Sequence, residues 1–286
     1  MMKRTFSLLL ALMTLTLASS SCSFFRSAGM QSRRHVLPEQ RIEEVYSSRD
    51  HLGIYGRLYR PVGVKGRLPL VILSHGFGVT HRDGEGYAEL LTRMGYLCYT
   101  FDFNGGGRES LSAGATTDMS VLTEQADLNA VIDQLKRRSD IDPRHITLLG
   151  LSQGGLVSAL TAASRPDDIA SLILIYPAFS IPEMVRKQWG EYSKIPQVNT
   201  LWGMRLGEKY YKDVWNIDPY AVIGRFRGPV LILHGDRDRI VEQSVSDRAA
   251  TIYKNVEYHV IPGGEHGFSG EALQQVKRYI QTFMKR

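Results

Sequence analysis

The sequence predicts an α/β fold with a mostly parallel, eight-stranded sheet flanked by helices. From residue 41 onward, short apolar runs alternate with longer amphipathic stretches, a pattern typical of strands and helices in such folds. The sequence Gly-Leu-Ser-Gln-Gly at 150–154 also lies between a strand-like run at 145–149 and a helix-like run at 156–160. A strand, a sharp turn and a helix are therefore expected around Ser152.

The remaining elements follow in chain order. Two strands at the sheet edge are expected to form an antiparallel pair, at 42–47 and 54–60. Further strands are predicted at 68–74, 97–103, 172–176, 230–233 and 257–261. Helices are predicted at 87–94, 121–138, 242–253 and 270–284.

The first 22 residues read as an export signal. Two basic residues, Lys3 and Arg4, precede an apolar run at 6–17 and the small residues at 18–21. This run is short for a membrane span, so we expect an exported protein. Cys22 resembles the lipid-modified cysteine of bacterial lipoproteins, which would anchor the chain to a membrane on the periplasmic or outer-membrane side. The alternative is cleavage near Ser20 with release into the periplasm or medium. Residues 23–40 are interpreted as a tether.

Composition excludes several other functions. The chain has 286 residues, 43% of them hydrophobic, which is enough for one large core. The net charge is +6, but the basic residues are dispersed, so no nucleic-acid partner is expected. Cys98 lies in a predicted core strand and would lack a partner if Cys22 is modified, which argues against a disulfide framework. No His, Cys and carboxylate cluster has metal-ligand spacing, and neither a metal nor a cofactor is expected.

Ser152 is a candidate nucleophile. A serine on a strand-to-helix turn presents its hydroxyl at the sheet edge, and flanking glycines allow close approach of neighbouring segments. A glycine-rich turn without chemistry is the alternative, since the pentapeptide alone is a weak signal.

An acid and a histidine follow in the order that such a nucleophile requires. The strand at 230–233 leads into a loop that contains Asp238, and the strand at 257–261 leads into a loop that contains His266. His266 would take the proton from Ser152, and Asp238 would orient the imidazole. Asp236 is the rival acid in the same loop.

Backbone donors for a developing oxyanion are also expected. One candidate is the N–H of Gln153, which directly follows the serine at a helix N-terminus. The other is the N–H of Phe77, which follows the strand at 68–74.

These motifs together identify the chain as a member of the α/β-hydrolase superfamily over about residues 41–284. It most resembles bacterial cinnamoyl (feruloyl) ester hydrolases in the sequences around the proposed site. They are His-Gly-Phe at 75–77, the loop at 101–110, the helix start at 118–122, Leu-Ser-Gln-Gly-Gly at 151–155, the loop at 234–241 and His-Gly-Phe at 266–268. Residue Leu151 departs from the histidine that these esterases often carry there. The resemblance implies an α/β-hydrolase domain at 41–286 with an inserted cap at about 178–227.

The predicted cap bears on the substrate. It holds all three tryptophans, Trp189, Trp202 and Trp215, and several tyrosines. They could form a slot for a planar ring, although many of them can equally form the core of the cap, and no substrate contact is assigned.

Three functions are therefore considered. The first is a serine carboxylesterase that acts through an acyl-enzyme on hydroxycinnamoyl esters, either small molecules or esters linked to a polysaccharide. The second is another serine hydrolase, such as a short-chain acyl or acetyl esterase, a lipase or a peptidase. The third is a non-catalytic binding protein, which usually requires the loss of a triad member.

Overall fold

The computed structural model describes residues 40–286. The predicted signal, Cys22 and the tether up to residue 39 lie outside the described residues. No helix among the described residues has the length and apolar character needed to cross a bilayer.

One eight-stranded sheet forms the centre of the fold, and it confirms the predicted fold class. Its strands are β1 (Gln40–Arg49), β2 (Leu52–Pro61), β3 (Leu68–Ser74), β4 (Leu97–Phe101), β5 (Ile141–Leu151), β6 (Ser171–Ile175), β9 (Val230–Gly235) and β10 (Val256–Ile261). Their spatial order is β1-β2-β4-β3-β5-β6-β9-β10. Strands β1 and β2 pair antiparallel, β2 pairs antiparallel with β4, and the other pairs are parallel.

Helices cover both faces of this sheet. They are α1 (Glu85–Arg93), α2 (Val121–Leu135), α3 (Gln153–Ser164), α4 (Ile181–Trp189), α5 (Glu208–Lys212), α6 (Pro219–Val222), α7 (Gln243–Ala250) and α8 (Gly270–Phe283). Apolar residues of α2, α3 and α7 pack on one face, and those of α1 and α8 pack on the other. Strands β4 and β9 are buried along their whole length, which explains their nearly continuous apolar sequences.

The edge hairpin closes with a two-residue turn. Strand β1 pairs with β2 from Gln40 opposite Pro61 to Arg49 opposite Leu52. The turn residues, Asp50 and His51, both have positive φ, 49° and 68°. Such a turn matches the twist of the two strands, and aspartate and histidine tolerate this conformation better than most residues.

The segment between β6 and β9, which we call the insertion, contains α4, α5, α6 and a small hairpin. The hairpin consists of β7 (Val198–Leu201) and β8 (Met204–Gly207), and it was not predicted from the sequence. Its turn residues are Trp202 and Gly203, with φ of 45° and 76°. Apolar side chains of the insertion belong to the same core cluster as those of α2 and α3. The insertion therefore packs against the face of the molecule that carries α2 and α3, and α3 begins directly after Ser152.

Candidate active site

Ser152 lies between β5 and α3 in a strained conformation. Its φ is 51° and its ψ is −117°, outside the regions that L-residues ordinarily occupy. The surrounding backbone holds it there: its N–H donates to the carbonyl of Ile175 at 3.0 Å, and its carbonyl accepts from the N–H of Ala178 at 3.0 Å. A strained turn at this point is the geometry expected of a nucleophile elbow.

Two glycines make the elbow possible. A Cβ added at Gly150 would overlap the carbonyl oxygen of Gly154, and one added at Gly154 would overlap the carbonyl oxygens of Ser74 and His75. Only glycine therefore lets β5, α3 and the end of β3 meet at this spacing. The glycines of the pentapeptide are required by packing around the serine.

The structure brings the three residues singled out in the sequence together: His266 lies beside Ser152, and Asp238 lies beside His266. The Nε2 atom of His266 is 3.0 Å from the Oγ of Ser152, and its Nδ1 is 2.7 Å from the Oδ2 of Asp238. In the matching tautomer, Nδ1–H donates to the carboxylate and Nε2 accepts the serine proton. The Tyr176 ring lies 4.5 Å from the imidazole, centroid to centroid, and packs against it.

The Asp238 carboxylate is buried and well supported. Its Oδ1 accepts from the N–H groups of Ile240 and Val241, both at 2.9 Å, and His234 lies 3.4 Å from Oδ2. Burial alone raises the pKa of this carboxyl, but hydrogen bonds from His234, His266 and the two N–H groups outweigh it and hold the pKa below its usual range. Asp238 is therefore an anion that can orient and stabilise an imidazolium.

The structure places the rival acid elsewhere. Asp236 accepts a hydrogen bond from the N–H of Gly263 at 2.7 Å and lies on the exposed turn after β9. It thus joins two neighbouring turns, and only Asp238 contacts His266.

Phe77 and Gln153 line one cavity together with Ser152. The Gln153 N–H is at the N-terminus of α3, where backbone donors have no partner within the helix. The loop before Phe77 comes close to the serine, because a Cβ added at Gly76 would lie 3.4 Å from the Ser152 Cβ. Both predicted oxyanion residues are thus at the serine.

His75 holds the Phe77 loop in place. Its Nδ1 lies 2.7 Å from the carbonyl of Gly76, and its Nε2 lies 3.1 Å from the N–H of Phe103. Burial lowers the pKa of this imidazole, which favours the neutral ring. A neutral ring with its proton on Nδ1 satisfies both contacts: it donates to one and accepts from the other.

Two cavities meet at Ser152. The smaller one runs under the insertion and is lined by Ile181, Val185, Trp202, Tyr210 and others, most of them apolar or aromatic. The larger, of about 430 Å³, lies on the side of His266 and also borders Asp83 and Tyr176. Trp202, Phe77 and Ile240 border both cavities. The serine therefore has a separate space on each side for the two halves of a substrate.

The three tryptophans have different positions. Trp202 is 65% exposed at the hairpin turn, and its ring meets that of Phe77 edge to face at 5.6 Å. Trp189 packs against Tyr211, and Trp215 packs against Tyr192, within the insertion itself. Of the three, Trp202 alone borders the cavities, and the other two supply the core of the insertion.

Sequence reasoning missed a set of polar side chains beneath the smaller cavity. Glu124 of α2 is buried and accepts a hydrogen bond from the side chain of Gln153, which in turn accepts one from Tyr210 of α5. The available signal was a charged residue on the apolar face of α2, between Val121 and Leu128. Within residues 40–286, no group of three or more His, Cys, Asp or Glu side chains is arranged to hold a metal ion.

The chain is similar in sequence to known hydrolases and to an uncharacterised protein. The sequence profile of a family described as serine aminopeptidase S33 matches residues 67–215. An uncharacterised protein of Mycobacterium tuberculosis is 28% identical over 250 residues, which cover 85% of this chain and 78% of that protein. Human monoglyceride lipase is 29% identical over 124 residues, or 43% of this chain and 39% of the lipase.

Solved structures show the same fold. Est1E from Butyrivibrio proteoclasticus, with ferulic acid bound, superposes with a TM-score of 0.77 at 28% identity, covering 85% of this chain and all of Est1E. An esterase from Pyrococcus furiosus superposes with a TM-score of 0.63 at 21% identity, covering 91% of this chain and 96% of that one. The match to the family profile, the fold and the likeness to Est1E together establish that the chain belongs to the serine aminopeptidase S33 family and is a serine hydrolase of the α/β-hydrolase superfamily.

Proposed function

We propose that the protein hydrolyses carboxylic esters through an acyl-enzyme on Ser152, with hydroxycinnamoyl esters of the feruloyl type as its substrates. The hydrogen-bonded chain Ser152, His266 and Asp238 carries the proposal. The likeness to Est1E, which binds ferulic acid, supports the choice of acyl group.

The proposed reaction has two halves. Ser152 Oγ attacks the ester carbonyl as His266 Nε2 takes its proton, and the carbonyl oxygen becomes an oxyanion that the N–H groups of Phe77 and Gln153 receive. His266 then gives the proton to the departing alcohol oxygen, which leaves the acyl group on Ser152. A water molecule, deprotonated by His266, attacks this acyl-enzyme in the same manner and releases the acid.

The position of His266 supports an assignment of the two cavities to the two parts of the ester. The imidazole must reach the oxygen of the leaving group, so the cavity that it borders receives the alcohol. The smaller cavity, which Gln153 borders and His266 does not, then receives the acyl group. A leaving group of considerable size fits the larger and more open side.

The walls of the acyl cavity favour a planar aromatic acid. Phe77, Trp202, Tyr210 and Tyr211 line it, together with apolar side chains of α4. Aromatic rings in such surroundings gain from edge-to-face contacts beyond the burial of apolar area. We propose that the insertion acts as the cap over this space.

The test compares acyl groups on one enzyme preparation. We expect kcat/KM for methyl ferulate to exceed that for p-nitrophenyl acetate after correction for the uncatalysed rates, and an aminoacyl anilide to be hydrolysed far more slowly than either ester. A preference for the anilide would make the protein a peptidase, and a preference for a monoacylglycerol would make it a lipase. Either result would contradict the feruloyl proposal while retaining Ser152.

We also propose that the protein is exported and anchored through a lipid on Cys22. The support is the sequence alone: basic residues, an apolar run and small residues precede this cysteine. Metabolic labelling with a fatty-acid probe should mark the wild-type protein but not Cys22→Ser. Equal labelling of both forms would exclude Cys22 as the anchor.

A further inference from the structure

A chain of buried polar side chains connects the helical layer to the insertion through the residue that follows the nucleophile. Gln153 Nε2 donates to Glu124 Oε2 at 2.8 Å, and the Tyr210 hydroxyl donates to Gln153 Oε1 at 2.8 Å. The exposed fractions are 1% for Glu124, 1% for Gln153 and 4% for Tyr210. Both ends of one amide are therefore held, from α2 on one side and from α5 on the other.

The cost of this arrangement argues for a function. Burial of a carboxyl group without full hydrogen bonding is unfavourable, and Glu124 Oε1 has no partner among the described residues. Burial raises the pKa of this carboxyl to about 8, against the opposing effect of the Gln153 hydrogen bond, and Asp127 raises it further. An apolar residue at this core position would avoid the penalty, but it would not accept from Gln153.

Tyr210 contacts the second oxyanion residue as well. Its ring meets that of Phe77 edge to face, with centroids 5.6 Å apart. One side chain of the insertion thus contacts both residues whose N–H groups are the proposed oxyanion donors. A small displacement of such an N–H group lowers the reaction rate, because its stabilisation of the oxyanion requires a closely defined distance and direction.

We propose that Glu124 and Tyr210 are positioning residues, which clamp the Gln153 side chain so that the seated insertion sets the direction of the oxyanion-binding N–H groups. The inference rests on the proposed function. It assigns to the insertion a part in the chemical step, separate from its lining of the acyl cavity. It also explains why a glutamate occupies a core position of α2.

Tyr210→Phe gives the first test, because it keeps the ring against Phe77 and removes only the hydroxyl. We expect kcat to fall about tenfold, a fraction of the loss when an oxyanion donor is removed altogether, with KM changed by less than about twofold. The factor should be the same for p-nitrophenyl acetate and methyl ferulate, since both form the same oxyanion. A loss confined to KM for methyl ferulate would mean that Tyr210 only binds the acyl group, and would overturn the proposal.

Two substitutions at Glu124 give the second test. Glu124→Gln keeps an acceptor for Gln153 and should retain most of the activity, whereas Glu124→Leu should lose about as much kcat as Tyr210→Phe. The double variant Tyr210→Phe/Glu124→Leu should be little worse than either single variant, because both act through one amide. If the kcat loss of the double variant equals the product of the two single losses, Glu124 and Tyr210 do not act through the Gln153 amide, and the proposal is wrong. Should Glu124→Leu fail to fold, the Tyr210→Phe and Glu124→Gln comparison still decides.

Tyr99→Phe is the matched control. Tyr99 is a buried residue of β4, and its hydroxyl donates at 2.9 Å to the carbonyl of Val45 in β1, the edge strand that is four positions from β5 in the sheet. It should lose thermal stability to a similar degree and keep the wild-type kcat. If Tyr99→Phe loses as much kcat as Tyr210→Phe, the effect of Tyr210→Phe is general destabilisation, and the inference is wrong. Inactivity of the wild-type protein on all esters would instead remove the proposed function itself.

Discussion

The Nε2 atom of His266 lies 3.0 Å from the Oγ of Ser152, although the two residues are 114 positions apart in the sequence. Sheet order brings them together, because β5, β6, β9 and β10 are consecutive parallel neighbours and their carboxyl ends lie at one edge. The loops after β5 and β10 therefore open on the same side of the sheet. The loop after β9, between them, supplies Asp238.

The acid of the triad can be tested against its neighbour. Asp238→Asn should lower kcat by about a thousandfold or more, since an amide does not hold the imidazole in its required tautomer or stabilise its charge. Asp236→Asn is the matched control, two residues away on the same turn, and should stay within about twofold of the wild type because Asp236 contacts Gly263 and not His266. Steady-state kinetics on p-nitrophenyl acetate would measure both. A larger loss in Asp236→Asn than in Asp238→Asn would show that Asp238 is not the acid of the triad.

Trp202 should control acyl selectivity. Its ring borders both cavities and stands against Phe77, so Trp202→Ala would join the two spaces. We expect the ratio of kcat/KM for methyl ferulate to that for p-nitrophenyl acetate to fall about tenfold, because one aromatic wall is lost. Trp215→Ala is the control, because it removes a ring of the same size that packs against Tyr192 within the insertion. For this variant we expect a lower melting temperature and a smaller change in the ratio. An unchanged ratio for Trp202→Ala would exclude it from the acyl site.

The elbow should not tolerate a methyl group. Gly154→Ala would place a Cβ against the carbonyl oxygens of Ser74 and His75, so β3 and α3 would have to move apart. We expect a loss of about 1–3 kcal/mol in the free energy of unfolding, measured by chemical denaturation, together with most of the activity. Gly53→Ala adds a methyl group to open space and should change neither quantity much. Wild-type stability in Gly154→Ala would contradict the described packing.

Glu124 should make stability depend on pH. The pKa of its carboxyl is about 8 in the folded protein and about 4.5 in an ordinary environment. Between these values the unfolded chain releases a proton that the folded protein keeps, so the free energy of unfolding falls as pH rises from about 4.5 to about 8. Glu124→Gln has no such proton and should show a flatter profile of melting temperature across this range.

An exposed glutamate provides the control for this measurement. Glu109 has a side chain that is 80% exposed, so Glu109→Gln should leave the wild-type slope unchanged. Identical slopes for wild type and Glu124→Gln would show that the buried carboxyl does not hold its proton in this range.

The sequence predicts the sheet, and it also points to the three side chains that the sheet brings within hydrogen-bond distance, for physical reasons. Buried parallel strands need nearly continuous apolar runs, and a serine elbow needs glycines on both sides, so both leave clear patterns around Ser152. Asp238 and His266 follow strands whose carboxyl ends must lie at one edge of a parallel sheet. Each pattern is local in the sequence, and the parallel order of the strands places the three residues at one edge of the sheet.

The insertion is harder to predict. Its hairpin strands, β7 and β8, have four residues each, too few to show alternation, and the turn between them is Trp202-Gly203 rather than a common turn sequence. Which tryptophan faces the serine depends on how the insertion packs against α3, and spacing does not reveal that. The contact of Gln153 with Glu124 and Tyr210 joins three distant segments, so only the structure reveals it.

Covalent trapping tests the central claim most directly. A fluorophosphonate probe reacts with a serine hydroxyl that a histidine activates, and peptide mass spectrometry locates the adduct. We predict one adduct per chain, on Ser152, with none in Ser152→Ala and almost none in His266→Ala, while both variants melt close to the wild-type temperature. An adduct on another residue, or wild-type ester turnover that persists in Ser152→Ala, would contradict the account.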